Sequence, residues 1–162
     1  FEFQLWRVFY GFTRWQEGCE KVANQTDLTG SELSLLHIIR MKGRSKTINE
    51  LTRLLNRDDI FNVNYSIQKL IKNGLIRKIV GDKNNKKAFS YEITEEGIKN
   101  TDAYTALRQN ILIELLKKKK ELNLEKFTDV LSELIAIYEE ADRTVLTYMG
   151  DKSEVRKKSR NQ

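Results

Sequence analysis

Side chains that can hydrogen-bond to nucleic-acid bases are concentrated in a short part of this sequence. Asparagine and glutamine each offer a donor together with an acceptor, and this combination complements the adenine edge in the major groove of DNA. Aromatic rings can contact thymine methyl groups, and lysines can reach guanine or a phosphate. No carboxylate lies between residues 60 and 72 to repel phosphates. The candidate base-reading residues are Phe61, Asn62, Asn64, Tyr65 and Gln68, with Lys69 and Lys72 beside them.

The sequence contains few residues of the types that carry out catalysis. The chain has one histidine, one cysteine and no phosphate-cradling glycine loop, so we expect neither an enzyme nor a metal or cofactor site. His37 has no second ligand at metal spacing, and a partly buried structural histidine is the expectation. Cys19 lies among apolar neighbours, which raise the pKa of a thiol, so we do not expect it to sense oxidants.

The positive charge is concentrated in the middle of the chain. The 162 residues carry a net charge of +6, but Arg44 to Lys87 alone contain eleven Lys/Arg against four Asp/Glu. Such a basic patch indicates a polyanion partner, although a solvated lysine-rich surface explains charge alone equally well. The candidate phosphate contacts are Lys46, Arg53, Arg57, Lys69 and Lys72.

A helix from about residue 59 to 73 would position the candidate base-reading residues. Val63, Ile67 and Leu70, helped by Ile60 and Ile71, recur at helical spacing and form the expected core stripe. Gly74 ends the helix, and either Asp58 or Asp59 is expected to cap its start. The amide-rich side then faces outward.

The order of elements around this helix is that of a helix-turn-helix followed by a wing. Capping-box pairs Thr29/Glu32 and Thr47/Glu50 start helices at 31–42 and 47–55, and a β-hairpin is predicted over 75–93. In this arrangement the second helix of the pair enters the major groove, and the hairpin reaches the flanking backbone or minor groove. The predicted wing tip contains Lys83, Asn84, Asn85, Lys86 and Lys87.

Helices at both ends of the chain carry apolar seams that need a partner. We predict helices over 1–22, from 94 to the lysine run at 117–120, and over 124–148, with a disordered basic tail at 151–162. A monomer could fold its first helix onto its last, but the length of the seams favours a homodimer. The predicted interface residues are Phe1, Leu5, Val8, Phe12, Leu131, Leu134, Tyr138 and Val145.

Three short motifs occur in order between Leu28 and Gly97: LTGSEL, then IKNGLI before the predicted wing and ITEEG after it. Together they resemble the winged-helix core of MarR-type bacterial transcription regulators, and LLNRDD resembles the turn of a predicted MarR-like subgroup. The resemblance implies an intertwined homodimer on a pseudo-palindromic site, with base reading at Phe61, Asn62, Asn64 and Tyr65. The family also binds small aromatic effectors near the dimer junction, where the aromatic residues of the first helix could line a pocket or pack as core. The lysine-bearing wing departs from the arginines typical of the family.

The sequence therefore predicts a mainly α protein with a small β-hairpin wing, its winged helix-turn-helix core flanked by dimerisation helices. The predicted regions are an N-terminal dimerisation helix (1–27), a DNA-binding core (28–97), C-terminal dimerisation helices (98–150) and the tail (151–162). The expected function is sequence-specific regulation of transcription on double-stranded DNA, in the cytoplasm with the nucleoid and without a membrane span. The alternative is a winged-helix module that binds another protein through the same face.

Overall fold

The computed structural model describes the backbone of residues 1–80 and 89–158 and the side chains of residues 1–80 and 89–148. Two compact units contain Phe1–Glu114 and Leu115–Gln162. The elements, in chain order, are α1 (Glu2–Asn24), α2 (Gly30–Arg40), β1 (Lys46–Thr47), α3 (Ile48–Leu54), α4 (Ile60–Lys72), β2 (Ile76–Val80), β3 (Phe89–Ile93), α5 (Glu95–Arg108), α6 (Glu114–Lys117) and α7 (Leu124–Lys158). A 3₁₀ turn (Met41–Gly43) follows α2, and a π-helical turn (Gln109–Ile113) joins α5 to α6.

The fold class predicted from the sequence is confirmed: the chain is mainly helical with a small antiparallel sheet. β2 and β3 pair from Ile76 with Ile93 to Val80 with Phe89. The sequence predicted this pair alone, but β1 adds a third strand against β3, so that the order is β1-β3-β2. Two residues are too few for a strand signal in a sequence, and β1 exists only because β3 offers it a free edge.

One hydrophobic core fills the winged-helix part of the first unit. Each of α2, α3 and α4 contributes its apolar stripe, and the sheet closes the far side. Burial of this apolar surface is the main term that holds these short elements together, since isolated helices of their length are marginal in water. The fully or almost fully buried members are Leu33, Leu35, Leu36, Ile39, Leu51, Val63, Ile67, Leu70 and Ile76.

Helix starts follow the predicted capping residues only in part. Thr29 and Glu32 form the complete capping box, each side chain bonded to the other residue's backbone N–H. Thr47 accepts from the N–H of Glu50, whereas the Glu50 carboxylate pairs with Arg44 instead of turning back. The capping role predicted for Asp59 is wrong, because its side chain makes no cap hydrogen bond.

Two glycines explain the motifs at the edges of the sheet. Gly74 has φ +70°, a left-handed conformation that ends α4 and turns the chain into β2. Gly97 lies in the first turn of α5, and a side chain there would overlap the carbonyl oxygen of Leu75. The glycine of IKNGLI therefore provides the turn after α4, and the glycine of ITEEG lets α5 approach the backbone of Leu75 closely.

The C-terminal half of α1 is anchored to α5 by a buried carboxylate. Glu20 is fully buried and accepts hydrogen bonds from Asn100 at 2.7 Å, Thr26 at 2.6 Å and Asn24 at 2.9 Å. Arg40 adds a tie from α2 to α5, with its guanidinium 2.7 Å from the Asp102 carboxylate. These contacts make α1 part of the same compact unit as the winged-helix core.

The second unit is dominated by α7. Its helix extends to Lys158, beyond the predicted end at 148, so the tail predicted as disordered from residue 151 is helical as far as Lys158. The compact units divide after Glu114, which places α1 and α5 with the winged-helix core. The proposed regional boundaries at 27 and 97 remain predictions about roles.

Candidate nucleic-acid interface

The outer face of α4 presents the predicted base-reading side chains to solvent. Phe61 is 92% exposed and Tyr65 is 71% exposed, and Asn62, Asn64 and Gln68 are exposed beside them. On the opposite face Val63, Ile67 and Leu70 are completely buried. Ile60 differs from the prediction, being 48% exposed at the first turn of the helix. The sequence pattern thus assigned the two faces correctly along most of α4.

Asn62 is the one amide of this face that has a side-chain partner in the described structure. Its Nδ2 donates to the Asp59 carboxylate at 3.0 Å. The same carboxylate accepts from Nε of Arg57 at 2.7 Å and from its Nη2 at 2.5 Å. These hydrogen bonds, first from Arg57 and then from Asn62, hold the pKa of Asp59 well below its usual range. The predicted contact of Arg57 with phosphate stays a prediction, and in this structure Asp59 engages Nε and Nη2 of its guanidinium.

Lys69 ties α4 to α2. Its Nζ lies 2.8 Å from Oε2 of Glu32 and donates to the carbonyl oxygen of Asp27 at 3.2 Å. Glu32 is buried and also completes the capping box with Thr29, so one carboxylate joins the start of α2 to α4. The phosphate contact at Lys69 stays a prediction, and in this structure its ammonium group forms an internal ion pair. The capping-box motif revealed one partner of Glu32 but not the second.

Lys46 is buried rather than exposed. Only 2% of the residue is accessible, and its ammonium group donates to the carbonyl oxygens of Ile39 at 2.9 Å, Arg44 at 3.1 Å and Met41. It thereby satisfies carbonyls at and beyond the C-terminus of α2, which no backbone N–H of the helix can reach. Burial lowers the pKa of Lys46, but the three acceptors stabilise its charged form. The predicted phosphate contact at Lys46 is therefore wrong.

Arg53 and Lys72 are the predicted phosphate contacts that the structure leaves available. Both are exposed, at the last turns of α3 and α4, and neither forms an ion pair within the described part of the chain. A cation at the end of a helix is also favoured by the helix dipole. Lys72 lies on the same exposed side of α4 as Phe61, Tyr65 and Gln68, and Arg53 lies at the end of the preceding helix.

The wing is described only along its two strands. Arg77 pairs with Glu92 across β2 and β3, and the Lys78 ammonium lies 3.4 Å from the centroid of the Phe89 ring. The predicted tip residues, Lys83, Asn84, Asn85, Lys86 and Lys87, lie outside the described residues.

The residues predicted to form a dimer interface are accessible on both long helices. Phe1, directly before α1, is exposed, as are Val8 and Phe12 on the helix, and Leu5 is half-buried. On α7, considered separately, the exposed residues are Leu131, Tyr138 and Val145, and Leu134 is half-buried.

A cavity of about 840 Å³ lies between α1, α2 and α5. Its wall includes Phe12, Trp15, His37, Tyr104 and Arg108. The Trp15 Nε1 and the His37 Nε2 are buried without a hydrogen-bond partner among the described residues. Burial is the main cause that lowers the pKa of His37, and the positive charge of Arg108 lowers it further. This imidazole is therefore neutral at neutral pH. Of the aromatic residues of α1 considered for a pocket, Trp15 and Phe12 line this cavity, whereas Trp6 and Phe9 are exposed elsewhere.

Cys19 is buried in the seam of α1 against α5. Burial, followed by the charge of Glu20, raises the pKa of the Cys19 thiol. A thiol in this state is a poor nucleophile, as the apolar surroundings in the sequence suggested.

Comparison with known proteins identifies the central domain. Residues 28–97 match the family model of the winged helix DNA-binding domain. No curated protein sequence matches the chain. In the described part of the chain, no helix is both long and apolar enough to cross a membrane.

Solved structures of transcription regulators share the fold. The regulator BldR from Sulfolobus solfataricus has a TM-score of 0.65 at 19% identity, covering 82% of this chain and 90% of that one. MepR from S. aureus, solved as a DNA complex, has a TM-score of 0.65 at 18% identity, covering 84% and 96%. A mutant MarR from E. coli, complexed with operator DNA, has a TM-score of 0.58 at 18% identity, covering 83% and 93%. At these identities the likeness establishes the fold, and it confirms the resemblance to MarR-type regulators.

Proposed function

We propose that this chain, which carries a winged helix DNA-binding domain and has the fold of MarR-family transcription regulators, is a sequence-specific regulator that binds duplex DNA as a homodimer. The observation that carries the proposal is the outer face of α4. It is exposed, rich in amides and aromatic rings, free of carboxylates from residue 60 to 72, and fixed by a completely buried opposite face.

In this proposal α4 enters the major groove. Asn62, Asn64 and Gln68 offer a donor and an acceptor to base edges, and the exposed rings of Phe61 and Tyr65 can contact thymine methyl groups. Because Val63, Ile67 and Leu70 lock the helix to the core, the reading face is held rigid before DNA arrives.

Phosphate contacts come from a smaller set of cations than the sequence suggested. Arg53 and Lys72 are exposed and form no ion pair among the described residues, and we assign them to the DNA backbone. Lys83, Lys86 and Lys87 stay predicted wing contacts with the flanking backbone or minor groove, with Asn84 and Asn85 between them. Phosphate contacts fix register and orientation, while the α4 face carries the sequence preference.

Dimerisation accounts for the apolar surface of the long helices. Large aromatic and aliphatic side chains are exposed along the N-terminal half of α1 and much of α7, and contiguous exposed apolar surface marks an interaction site. A two-fold axis would present two α4 helices to successive major grooves of a pseudo-palindromic site. Such a regulator would work in the cytoplasm with the nucleoid and needs no catalytic group. We place a small-molecule effector in the cavity between α1, α2 and α5.

A protein-binding module is the competing function. The observation that favours it is the pair of exposed apolar residues at the start of α4, Ile60 and Phe61, since aromatic side chains are enriched in protein interfaces. The two functions differ in salt dependence, because DNA binding releases counterions and weakens steeply as salt rises.

Selection of bound duplexes from a random pool tests the proposal directly. Asn64→Ala should weaken binding to the selected site by about 1–3 kcal/mol and relax its preference, with little effect on random duplex. An equal loss of affinity for the selected site and for random duplex would show that Asn64 does not read a base. If no duplex is enriched and any binding to DNA is independent of salt, the DNA-binding function is wrong and the protein-binding module is the function that remains.

Two lysines of α4 provide a matched pair for the backbone contacts. Lys72→Gln should lower affinity for all sequences alike and reduce the slope of log affinity against log salt by about one unit. Lys69→Gln should leave that slope unchanged, because its ammonium group already pairs with Glu32. Titrations at several salt concentrations give both slopes. A reduced slope in Lys69→Gln would show that this lysine leaves Glu32 to meet the DNA.

A further inference from the structure

The side-chain amide of Asn62 is held in one orientation before any DNA binds. Its Nδ2 lies 3.0 Å from Oδ2 of Asp59. An ionised carboxylate only accepts hydrogen bonds, so the nitrogen must face Asp59 and the carbonyl oxygen must face away. One amide hydrogen is committed to Asp59, and the carbonyl oxygen and the second hydrogen remain for a ligand.

Asp59 is itself fixed from the opposite side by Arg57. The guanidinium donates through Nε at 2.7 Å and Nη2 at 2.5 Å, one bond to each carboxylate oxygen. This bidentate geometry defines the plane of the carboxylate as well as its position. The backbone N–H of Arg57 donates to the carbonyl oxygen of Thr52 at 2.9 Å, which joins the pair to α3. The orientation of Asn62 therefore depends on a chain of contacts that begins in the neighbouring helix.

The ion pair also explains an acid beside a DNA-binding face. Asp59 lies at the start of α4, where an isolated negative charge would repel the phosphate backbone. The guanidinium of Arg57 neutralises that charge locally, and the pair is partly shielded, with 24% of the Arg57 and 37% of the Asp59 side chain accessible. Asp58 offers a contrast, since its exposed carboxylate accepts no hydrogen bond within the described part of the chain.

We propose that Arg57 and Asp59 are positioning residues that set the base preference of Asn62. The free edge of the amide, an acceptor beside one remaining donor, complements N6 and N7 of adenine. If Asp59 did not hold the nitrogen, the amide could turn over and offer a mismatched edge. This inference rests on the proposed function. Asn64 supplies the internal comparison, because it has no side-chain partner among the described residues and can present either edge.

The experiment compares base preferences selected from a random duplex pool. Asn62→Ala identifies the position that Asn62 reads, where preference for adenine should fall about tenfold. Asp59→Asn should reduce preference at that same position by about two- to tenfold, because at least two amide orientations become populated. Other positions of the site should keep their preferences. Asp58→Asn is the matched control, since it removes the same charge one residue away and should leave every preference unchanged.

Arg57→Gln supplies a second reading that is independent of the Asp59 substitution. This substitution keeps the Asp59 carboxylate but removes the two hydrogen bonds from the guanidinium that fix its orientation. The preference for adenine at the Asn62 position should therefore weaken, as in Asp59→Asn. Circular dichroism verifies that each variant is folded, and if Asp59→Asn is not, Arg57→Gln decides the outcome. A role in phosphate binding would instead lower the salt slope of Arg57→Gln with all preferences intact, and would overturn the inference.

The outcomes separate this inference from the proposed function. If the unmodified protein selects no sequence, the proposed function fails and the inference falls with it. If it selects a sequence and Asn62→Ala alters no position, or Asp59→Asn merely raises affinity for every duplex as Asp58→Asn does, the inference fails while the proposed function stands.

Discussion

The apolar side chains of the winged-helix domain are buried, whereas many of those on the long helices α1 and α7 are exposed. Leu36 of α2 is completely buried, whereas Phe3 near the start of α1 is 65% exposed and Leu146 of α7 is 58% exposed. The domain closes its own core within one chain. The C-terminal half of α1 also packs within the chain, because its buried Glu20 accepts a hydrogen bond from Asn100 of α5. The N-terminal half of α1 remains exposed. The core that stabilises the winged-helix domain therefore lies apart from the apolar surface that we propose for dimerisation.

Removing a core side chain tests the self-contained region and should have the largest effect. Leu36→Ala should lower the free energy of unfolding by about 2–5 kcal/mol, because it removes a fully buried side chain and leaves a cavity. Urea titrations at several protein concentrations measure this loss, which should be the same at each concentration. Leu146→Ala, the same substitution on an exposed site of α7, is the control. Equal losses for the two leucines would abolish the contrast between the regions.

A charge placed on α1 tests the region that needs a partner. Val8→Glu should weaken dimerisation at least about tenfold, because a two-fold interface would bury the new carboxylate from both protomers. Sedimentation at several concentrations measures the dissociation constant. Lys21→Gln changes the charge by the same amount at an exposed site on the opposite side of the same helix, and should leave the dissociation constant unchanged. A chain that is monomeric from the outset, or a dimer unaffected by Val8→Glu, would assign this surface to something other than the dimer.

The smallest effect is expected where α2 meets α1 and α5, at His37. Its imidazole faces Tyr104, Arg108, Arg40 and Glu20, and burial with the two arginines lowers its pKa from the ordinary value of 6.5. The unfolded chain then binds more protons than the folded one below that value. Stability should be full above about pH 6.5 and fall as the pH drops toward the folded pKa.

Melting temperatures at about pH 7.5 and about pH 5.5 measure the effect of His37, compared between the unmodified protein and His37→Gln. The substitution should reduce the acid-induced decrease. An equal decrease in melting temperature in both proteins would show that a group other than His37 takes up the proton.

Much of the fold followed from local patterns in the sequence. The stripe of Val63, Ile67 and Leu70 identified the buried face of α4, and the pair Thr29 and Glu32 identified the start of α2. Both signals depend on residues within one turn of each other, which is the range over which a sequence pattern reports structure directly. The position of the candidate site could therefore be predicted. The third strand could not, since β1 is only two residues long.

The roles of the cations were the least predictable part of the candidate site. Lys46, Lys69 and Lys72 look alike in the sequence, yet the first is buried among carbonyls, the second pairs with Glu32 and the third is exposed. A lysine side chain is long and flexible, so its partner is decided by whatever acceptors the folded chain brings within reach.

The sequence by itself determined where the helices lie, which face of α4 is apolar and that its other face is suited to base edges. It could do so because helical periodicity and capping act between residues a few positions apart. Only the tertiary structure decided which charges remain available to a partner, since Glu32 and Lys69 are 37 residues apart in the chain and meet only when α2 and α4 pack. It likewise decided that Arg57 and Asp59 hold Asn62, because hydrogen bonds depend on distance and direction as well as residue type.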